Sequence, residues 1–480
     1  MLDYRRPGTP HSTLRTSQAT ASDPALAFDD LGRRLRVALS SLTRPAEAGL
    51  VSISIPSSVI DLGPFLPGDL PGFYWSRSSS GVTLLGYGVA TRVACSGDGR
   101  MEEASRAFSD LRSRWLRLGD PDAPTPIAFL GFAFSPEETP GGEWHGLANT
   151  ELVVPELLCR RRGDEAWITA TAMIGEDTDP DALAARWIGR LEALAEAQAP
   201  DAVPGGAPVE LKRVEDGSWN APLDKALADI RAGRLDKVVL TRRVRYSTSR
   251  PLSWGRVLAA LEEGHESCAR FAVVRPGFAL VGVSPERLVS LDHGVVAADA
   301  LAGTAPRGAT AALDRTLADR LRLDPKALVE HQIVVDQIRE ALQPCCSALL
   351  APQGPEIMSL PTVHHLWSPV GGHLRNGSDL LELARRLHPT PAVGGSPRTA
   401  ALEWLRRHEK QSRGWYTGAL GWLDSDGNGE MSVVLRCGIV NQGSVDLFAG
   451  AGIVADSRPD QELAETEWKL CTLRGALELG

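Results

Sequence analysis

The chain has no uninterrupted apolar run of about eighteen residues, the length a membrane-spanning helix needs, and no CxxC pair, basic excess or internal repeat. Each absence removes a class of function. Without such a run no spanning helix is expected. The opening segment, MLDYRRPGTPHSTLRTS, carries basic residues but lacks the apolar stretch of a secretory signal, so a cytoplasmic location is expected. Seven cysteines, an odd number, include the adjacent Cys345 and Cys346 but show no metal or redox spacing, so reduced thiols are expected. A formal net charge of -9 disfavours nucleic acid and anionic membranes as partners, leaving a small molecule. No period of about 20 to 50 residues repeats, which excludes a solenoid.

What is present is enough to bury a core: 480 residues, 43% of them hydrophobic, room for one large domain or two ordinary ones. Residues 1–24, rich in Ser, Thr, Pro and Arg without periodicity, are expected to form a mobile tail. A first region, 25–200, ends in a helical pattern from Pro180 to Ala197 with Leu183, Trp187, Leu191 and Leu194 on one face. The run PDAVPGGAP, from Pro200 to Pro208, marks a linker at 201–209. The candidate chemistry all lies after it, in 210–480.

In that second region Leu223, Leu227 and Ile230 have helical spacing, closed by Gly233, and a strand begins at Lys237. Strands flank Pro276-Gly277. A helix starts at Asp324-Pro325, an N-cap followed by proline at the first helical position, and runs to Leu342. Gly418–Leu423 and Glu430–Val440 read as paired strands across a turn, and a last helix covers Pro459–Leu479. Strands and helices occur in runs instead of alternating. This predicts an α+β fold of stacked, largely antiparallel sheets flanked by outer helices.

Two motifs are decoys. Asp424, Asp426, Asn428 and Gly429 open like a calcium loop, but Leu435 stands where the bidentate glutamate belongs, so a hairpin turn is expected. Gly450-Ala451-Gly452 resembles a dinucleotide fingerprint, but too little chain follows for a βαβ unit.

Three carboxylates carry more weight. Val334, Ile338 and Leu342 form an i, i+4, i+8 core stripe, and Glu330 lies on it one turn earlier. An unpaired carboxylate aimed inward costs several kcal/mol, so Glu330 requires a cation, a metal or a proton. Glu462, Glu465 and Lys469 share one face of the last helix, which taken alone reads as a solvated Glu–Lys surface. Two acidic helical faces together can hold one hard cation such as magnesium.

The order of the motifs is more specific. KVVLTR from Lys237, GVSPERL from Gly282, LAGTAPRG from Leu301, DPKALVEH from Asp324, LHPTPAVGGSP from Leu387, RGWYTG from Arg413, and AGAGI from Ala449 followed by ETEWK from Glu465 resemble, in this order, the chorismate-utilising enzymes. The likeness is strong over 210–480 and general in layout before that. It implies a single α+β fold and a Mg2+ site between Glu330 and Glu465, with Glu462 as a further or alternate ligand. An acidic companion usual three residues before Glu330 is replaced by Ala327. Tyr416, Arg436, Gly450 and Lys469 match positions that bind substrate carboxylates, His365 matches a pocket histidine near the reacting ring, and Gly303, Thr304 and Ala392 are further substrate-binding candidates.

The resemblance also ranks the reactions. Ring hydroxylation needs a base to activate water and an acid to protonate the departing hydroxyl, and Lys237 and Glu286 match those positions. A lysine serves as base only if burial or nearby positive charge favours its neutral form, and Glu286 must be held protonated. Relatives that use ammonia generally lack the lysine and work with an amidotransferase, so no amidotransferase subunit is expected. Ala302 stands where aminodeoxychorismate synthases carry a nucleophilic lysine. Ala392 resembles isochorismate synthases, whereas salicylate synthases tend to have threonine there. Conversion of chorismate to isochorismate, serving menaquinone or siderophore synthesis, is therefore expected; salicylate synthase and a non-catalytic ligand-binding relative are the alternatives.

Overall fold

The computed structural model describes residues 32–39, 48–57, 66–67, 70–138, 141–198, 209–216, 219–375 and 377–479. The tail expected over 1–24 and all but the last residue of the expected linker lie outside these.

Two sheets dominate the described residues. Edge to edge, the larger runs β10 (Leu211–Asp216), β11 (Lys237–Thr248), β23 (Ser444–Ile453), β22 (Cys437–Asn441), β13 (Phe278–Ser284), β12 (Ala269–Arg275), β2 (Gly72–Arg77), β3 (Val82–Tyr87), β8 (Leu157–Arg162), β9 (Glu165–Ile174), β1 (Gly49–Pro56) and β5 (Trp115–Gly119), with β19 (Gly395–Ser396) on β11. The smaller runs β16 (Cys346–Leu350), β18 (Val363–Leu374), β15 (Val295–Pro306), β14 (Arg287–Asp292), β21 (Gly429–Val433), β20 (Ala419–Asp424), β6 (Ile127–Phe132), β7 (Thr150–Val154) and β4 (Thr91–Cys95), with β17 (Glu356–Ser359) on β18. Only β1 and β5 pair in parallel among the described strands. The α+β, largely antiparallel architecture expected from the sequence is what is found.

Ten described helices flank the sheets. The larger sheet's outer face is covered by α1 (32–39), α3 (Pro180–Gln198), α5 (Trp254–Ala260) and α10 (Pro459–Leu479). The stripe Leu183, Trp187, Leu191 and Leu194 of α3 is buried there, each side chain contributing about 1.5–3 kcal/mol. The smaller sheet is covered by α2 (Arg100–Ser113), α7 (Pro325–Leu342) and α8 (Leu380–Leu387); α4 (Asn220–Arg231), α6 (Ala311–Leu323) and α9 (Arg398–His408) complete the set. Between the sheets an aromatic layer of Phe73, Trp75, Phe129, Trp144, Phe271, Phe278 and Trp415 excludes water. Strands before and after residue 200 are interleaved in both sheets: β2 pairs with β12, and β6 with β20.

One expectation is corrected. The strand read as Glu430–Val440 is two strands in different sheets: β21 pairs with β20 in the smaller sheet, whereas β22 pairs with β13 in the larger. The break falls at Arg436, whose φ of 44° lies in the left-handed region. Both strands are buried, so the apolar pattern continues across the break and hides it. Beside this crossing the chain crosses a second time, through Pro285 and Glu286, between β13 and β14. The two crossings are bonded together: Val433 N–H donates to Glu286 O (3.1 Å) and Val283 N–H to Arg436 O (3.1 Å).

Candidate active site

Where the two sheets part, a cavity of about 560 Å3 opens. All thirteen residues singled out from the sequence line it: Lys237, Glu286, Gly303, Thr304, Glu330, His365, Ala392, Tyr416, Arg436, Gly450, Glu462, Glu465 and Lys469. They arrive on the start of β11, the two crossings, the end of β15, β18, β23, α7 and α10, and on the loops before β19 (Ala392) and before β20 (Tyr416), so the whole second region is needed to assemble them.

Lys237 begins β11 and is 1% exposed, not the solvent-facing lysine its local sequence suggests. Its Nζ donates to Glu330 Oε1 at 2.5 Å. Of the two alternatives named for a basic lysine, burial or nearby positive charge, the structure gives burial, while the ion-pair partner is an anion. Glu330 stands one turn before the buried stripe of α7, a helix begun as predicted: the Asp324 side chain accepts from the N–H groups of Lys326 and Ala327, and Pro325 follows the cap. Burial pushes the Glu330 carboxyl up, but the attraction of Lys237, with Lys469 and Lys326 farther off, leaves it below the ordinary value. Gly452 makes this pair possible, since a Cβ there would lie 2.7 Å from Lys237 Cε and 2.8 Å from Glu330 Oε1.

Glu286 is 2% exposed, and Thr390 Oγ1 donates to its Oε1 at 3.5 Å. Desolvation, reinforced by the like charge of Asp299, raises its carboxyl to about 8; Lys237 and Lys469 oppose this without cancelling it. It is a neutral acid at pH 7. Asp299 was missed in the sequence, although a carboxylate inside the apolar run VVAADALAG is the signal that could have found it.

Opposite lies a cationic wall. Arg436 Nη2 donates to His365 Nε2 at 2.5 Å, and because a guanidinium cannot accept, the His365 proton sits on Nδ1, which donates to Gly303 O at 3.2 Å. Burial, then Arg436 and Lys469, hold His365 well below its ordinary pKa, so it is neutral. Gly303 has φ 81° and forms the bulge that turns its carbonyl and Thr304 toward this histidine. Arg436 Nη1 is buried without a hydrogen-bond partner among the described residues. Such an orphaned donor costs about 1–3 kcal/mol or more when charged, which an anionic ligand offsets. Lys469 Nζ donates to Gly450 O (2.8 Å) and Glu465 Oε1 (2.7 Å), and Tyr416 stacks on Phe448. Behind the wall the buried Arg413, part of a quoted motif but not singled out, donates to the carbonyls of Val239 and Val393 and holds both against the cavity.

Glu330, Glu462 and Glu465 form an all-oxygen donor set suited to a hard divalent cation. Among the described residues no three acidic, histidine or cysteine side chains converge tightly on one point. Each glutamate is instead paired with its own lysine: Glu330 with Lys237, Glu465 with Lys469, and Glu462 with Lys326 at 3.5 Å.

Comparison with known proteins gives the family. A family profile described as "Chorismate binding enzyme" matches residues 37–478. Isochorismate synthase MenF of Bacillus subtilis is 32% identical over 420 residues, 84% of this chain and 87% of that protein. The "Salicylate biosynthesis isochorismate synthase" of Pseudomonas aeruginosa is 35% identical over 417 residues, covering 85% of each. The solved structure of MenF, the menaquinone-specific isochorismate synthase from Escherichia coli, superposes with a TM-score of 0.77 at 27% identity, covering 94% of this chain and 99% of that one. No described helix is long and apolar enough to cross a membrane. With a family match spanning almost its whole length, the chain belongs to the chorismate-binding enzymes.

Proposed function

We propose that this chain is an isochorismate synthase acting on chorismate without an amidotransferase partner. The observation that carries the reading is the opposition of a buried, protonated Glu286 and a buried Lys237 within one cavity that also presents the unpaired Arg436 N–H. Lys237 takes a proton from water as its oxygen bonds to ring carbon 2, both ring double bonds shift by one position (to carbons 1–6 and 4–5), and Glu286 gives its proton to the hydroxyl leaving carbon 4 as water. One water enters and one leaves, so the change is an isomerisation. To act as base, Lys237 must part from Glu330. Arg436, Lys469, Tyr416 and the Gly450 backbone bind the substrate carboxylates; neutral His365, oriented by Gly303 and Thr304, lies against the ring, and Ala392 keeps the wall small.

Charge supports a divalent cation. The cavity is lined by four cationic and six acidic side chains, of which Glu286 is neutral at pH 7. Adding a dicarboxylate makes the site strongly negative unless a cation accompanies it. Mg2+, held by Glu330 and Glu465 with Glu462 beside them, would neutralise a substrate carboxylate and fix the ring. The test is to incubate the protein with chorismate and Mg2+, without ammonia or glutamine, and separate the products. Chorismate and isochorismate alone support the reading; salicylate with pyruvate, or unchanged chorismate, refutes it.

A further inference from the structure

The three carboxylates assigned to the metal are matched one to one by ammonium groups, and two of those ammoniums have other work to do. Lys237 is the assigned base and Lys469 reaches the Gly450 carbonyl of the substrate wall. Lys326 is different. It sits in the first turn of α7, 41% exposed, and it reaches across the cavity mouth to Glu462 in the first turn of α10. Glu462 is 5% exposed, so it cannot simply turn to water. The like charges of Glu465 and Glu330 bear on it, and the Ser457 hydroxyl and the Lys326 ammonium stand against them. A buried carboxylate beside two others needs a cation, and the ammonium and a divalent ion are alternatives for the same carboxylate oxygens.

We propose that Lys326 is a built-in competitor for Glu462: it occupies this carboxylate until magnesium displaces it, and thereby weakens metal binding and leaves Glu462 an optional ligand. This rests on the reading of Glu330, Glu465 and Glu462 as the metal-holding set. Lys326 is a positioning residue that acts through Glu462. The position three residues before Glu330, Ala327, supplies no carboxylate from α7, so Lys326 is the cationic group that the first turn of α7 presents to Glu462. The arrangement keeps the metal exchangeable at a mouth through which substrate and product must also pass.

The experiment is a calorimetric titration of Mg2+ into the full-length protein, alone and in an equilibrated chorismate–isochorismate mixture, with the half-maximal Mg2+ for turnover measured alongside. Removing a partly exposed ion pair of this kind by Lys326→Met should tighten Mg2+ binding about fivefold. Lys326→Arg should behave as wild type. In a Glu462→Gln background Lys326→Met should have no further effect, which separates competition at Glu462 from the general loss of a positive charge. Equal tightening in both backgrounds, or none in either, overturns the competitor role while leaving the metal site intact. Absence of Mg2+ binding by wild type, or binding undiminished in Glu330→Gln, instead overturns the metal assignment beneath it.

Discussion

Glu286→Gln tests the acid assignment through stability as well as rate. In the folded protein the carboxyl titrates near 8, against an ordinary 4.5. Burial and Asp299 are the causes, with Thr390, Lys237 and Lys469 pulling the other way. Between those two pH values the folded state holds a proton that the unfolded chain has released, so stability falls as pH rises, by about 1.4 kcal/mol per pH unit. The contribution is fully present below pH 4.5, by pH 8 the loss reaches about 4 kcal/mol, and it levels off at about 5 kcal/mol above that. Glutamine has the same shape and no titration. The stability of Glu286→Gln relative to wild type should therefore grow by about 2–3 kcal/mol between pH 6 and pH 8. Reversible urea unfolding of both proteins across this range reads the difference, and isochorismate formation by the variant should fall at least 100-fold, about the least a general acid contributes. Parallel stability curves would mean that Glu286 is already ionised at pH 6, and the acid role would fail with them.

Four other outcomes follow from the same geometry. Wild-type turnover should decline as pH rises through about 8, where Glu286 loses its proton, and Asp299→Asn, by removing a like charge, should move that decline to lower pH. An unmoved pH profile would remove Asp299 from the account. Lys237→Ala should abolish water addition while chorismate still binds, as seen by equilibrium dialysis; unchanged turnover would refute the base. Glu330→Gln should sharply raise the Mg2+ needed for half-maximal rate, and activity persisting in excess chelator would refute the metal. Gly452→Ala places a methyl group 2.7–2.8 Å from Lys237 and Glu330; it should cost at least tenfold in rate while circular dichroism stays native, and full activity would show that the pair need not be tightly held.

Local signals in the sequence were reliable where a single element decides. The Asp324-Pro325 cap gave the start of α7 to the residue, the apolar spacing of α3 gave its buried face, and the ordered motifs contain Lys237, Glu286, Gly303, Thr304, Glu330, Ala392, Tyr416, Gly450, Glu465 and Lys469 of the cavity lining. The features that went unread depend on where distant segments meet. Lys237 resembles a strand-edge lysine until β23 and α7 enclose it. Asp299 matters only because β15 brings it near Glu286, and Lys326 only because α10 begins opposite the start of α7. The change of sheet at Arg436 is silent in the apolar pattern because the chain leaves one buried layer for another.

The interleaving of early and late strands has a kinetic consequence for the newly made chain. β6, at Ile127–Phe132, has its neighbour β20 at Ala419–Asp424, nearly 300 residues later. At a synthesis rate of about 5–20 residues per second, one edge of β6 waits on the order of 15–60 s for its partner. Throughout that interval Phe129 and the aromatic layer it joins are without their cover. The nascent first region thus exposes apolar surface prone to aggregation, and its yield in the cell should respond to translation speed and temperature more steeply than the stability of the finished enzyme does.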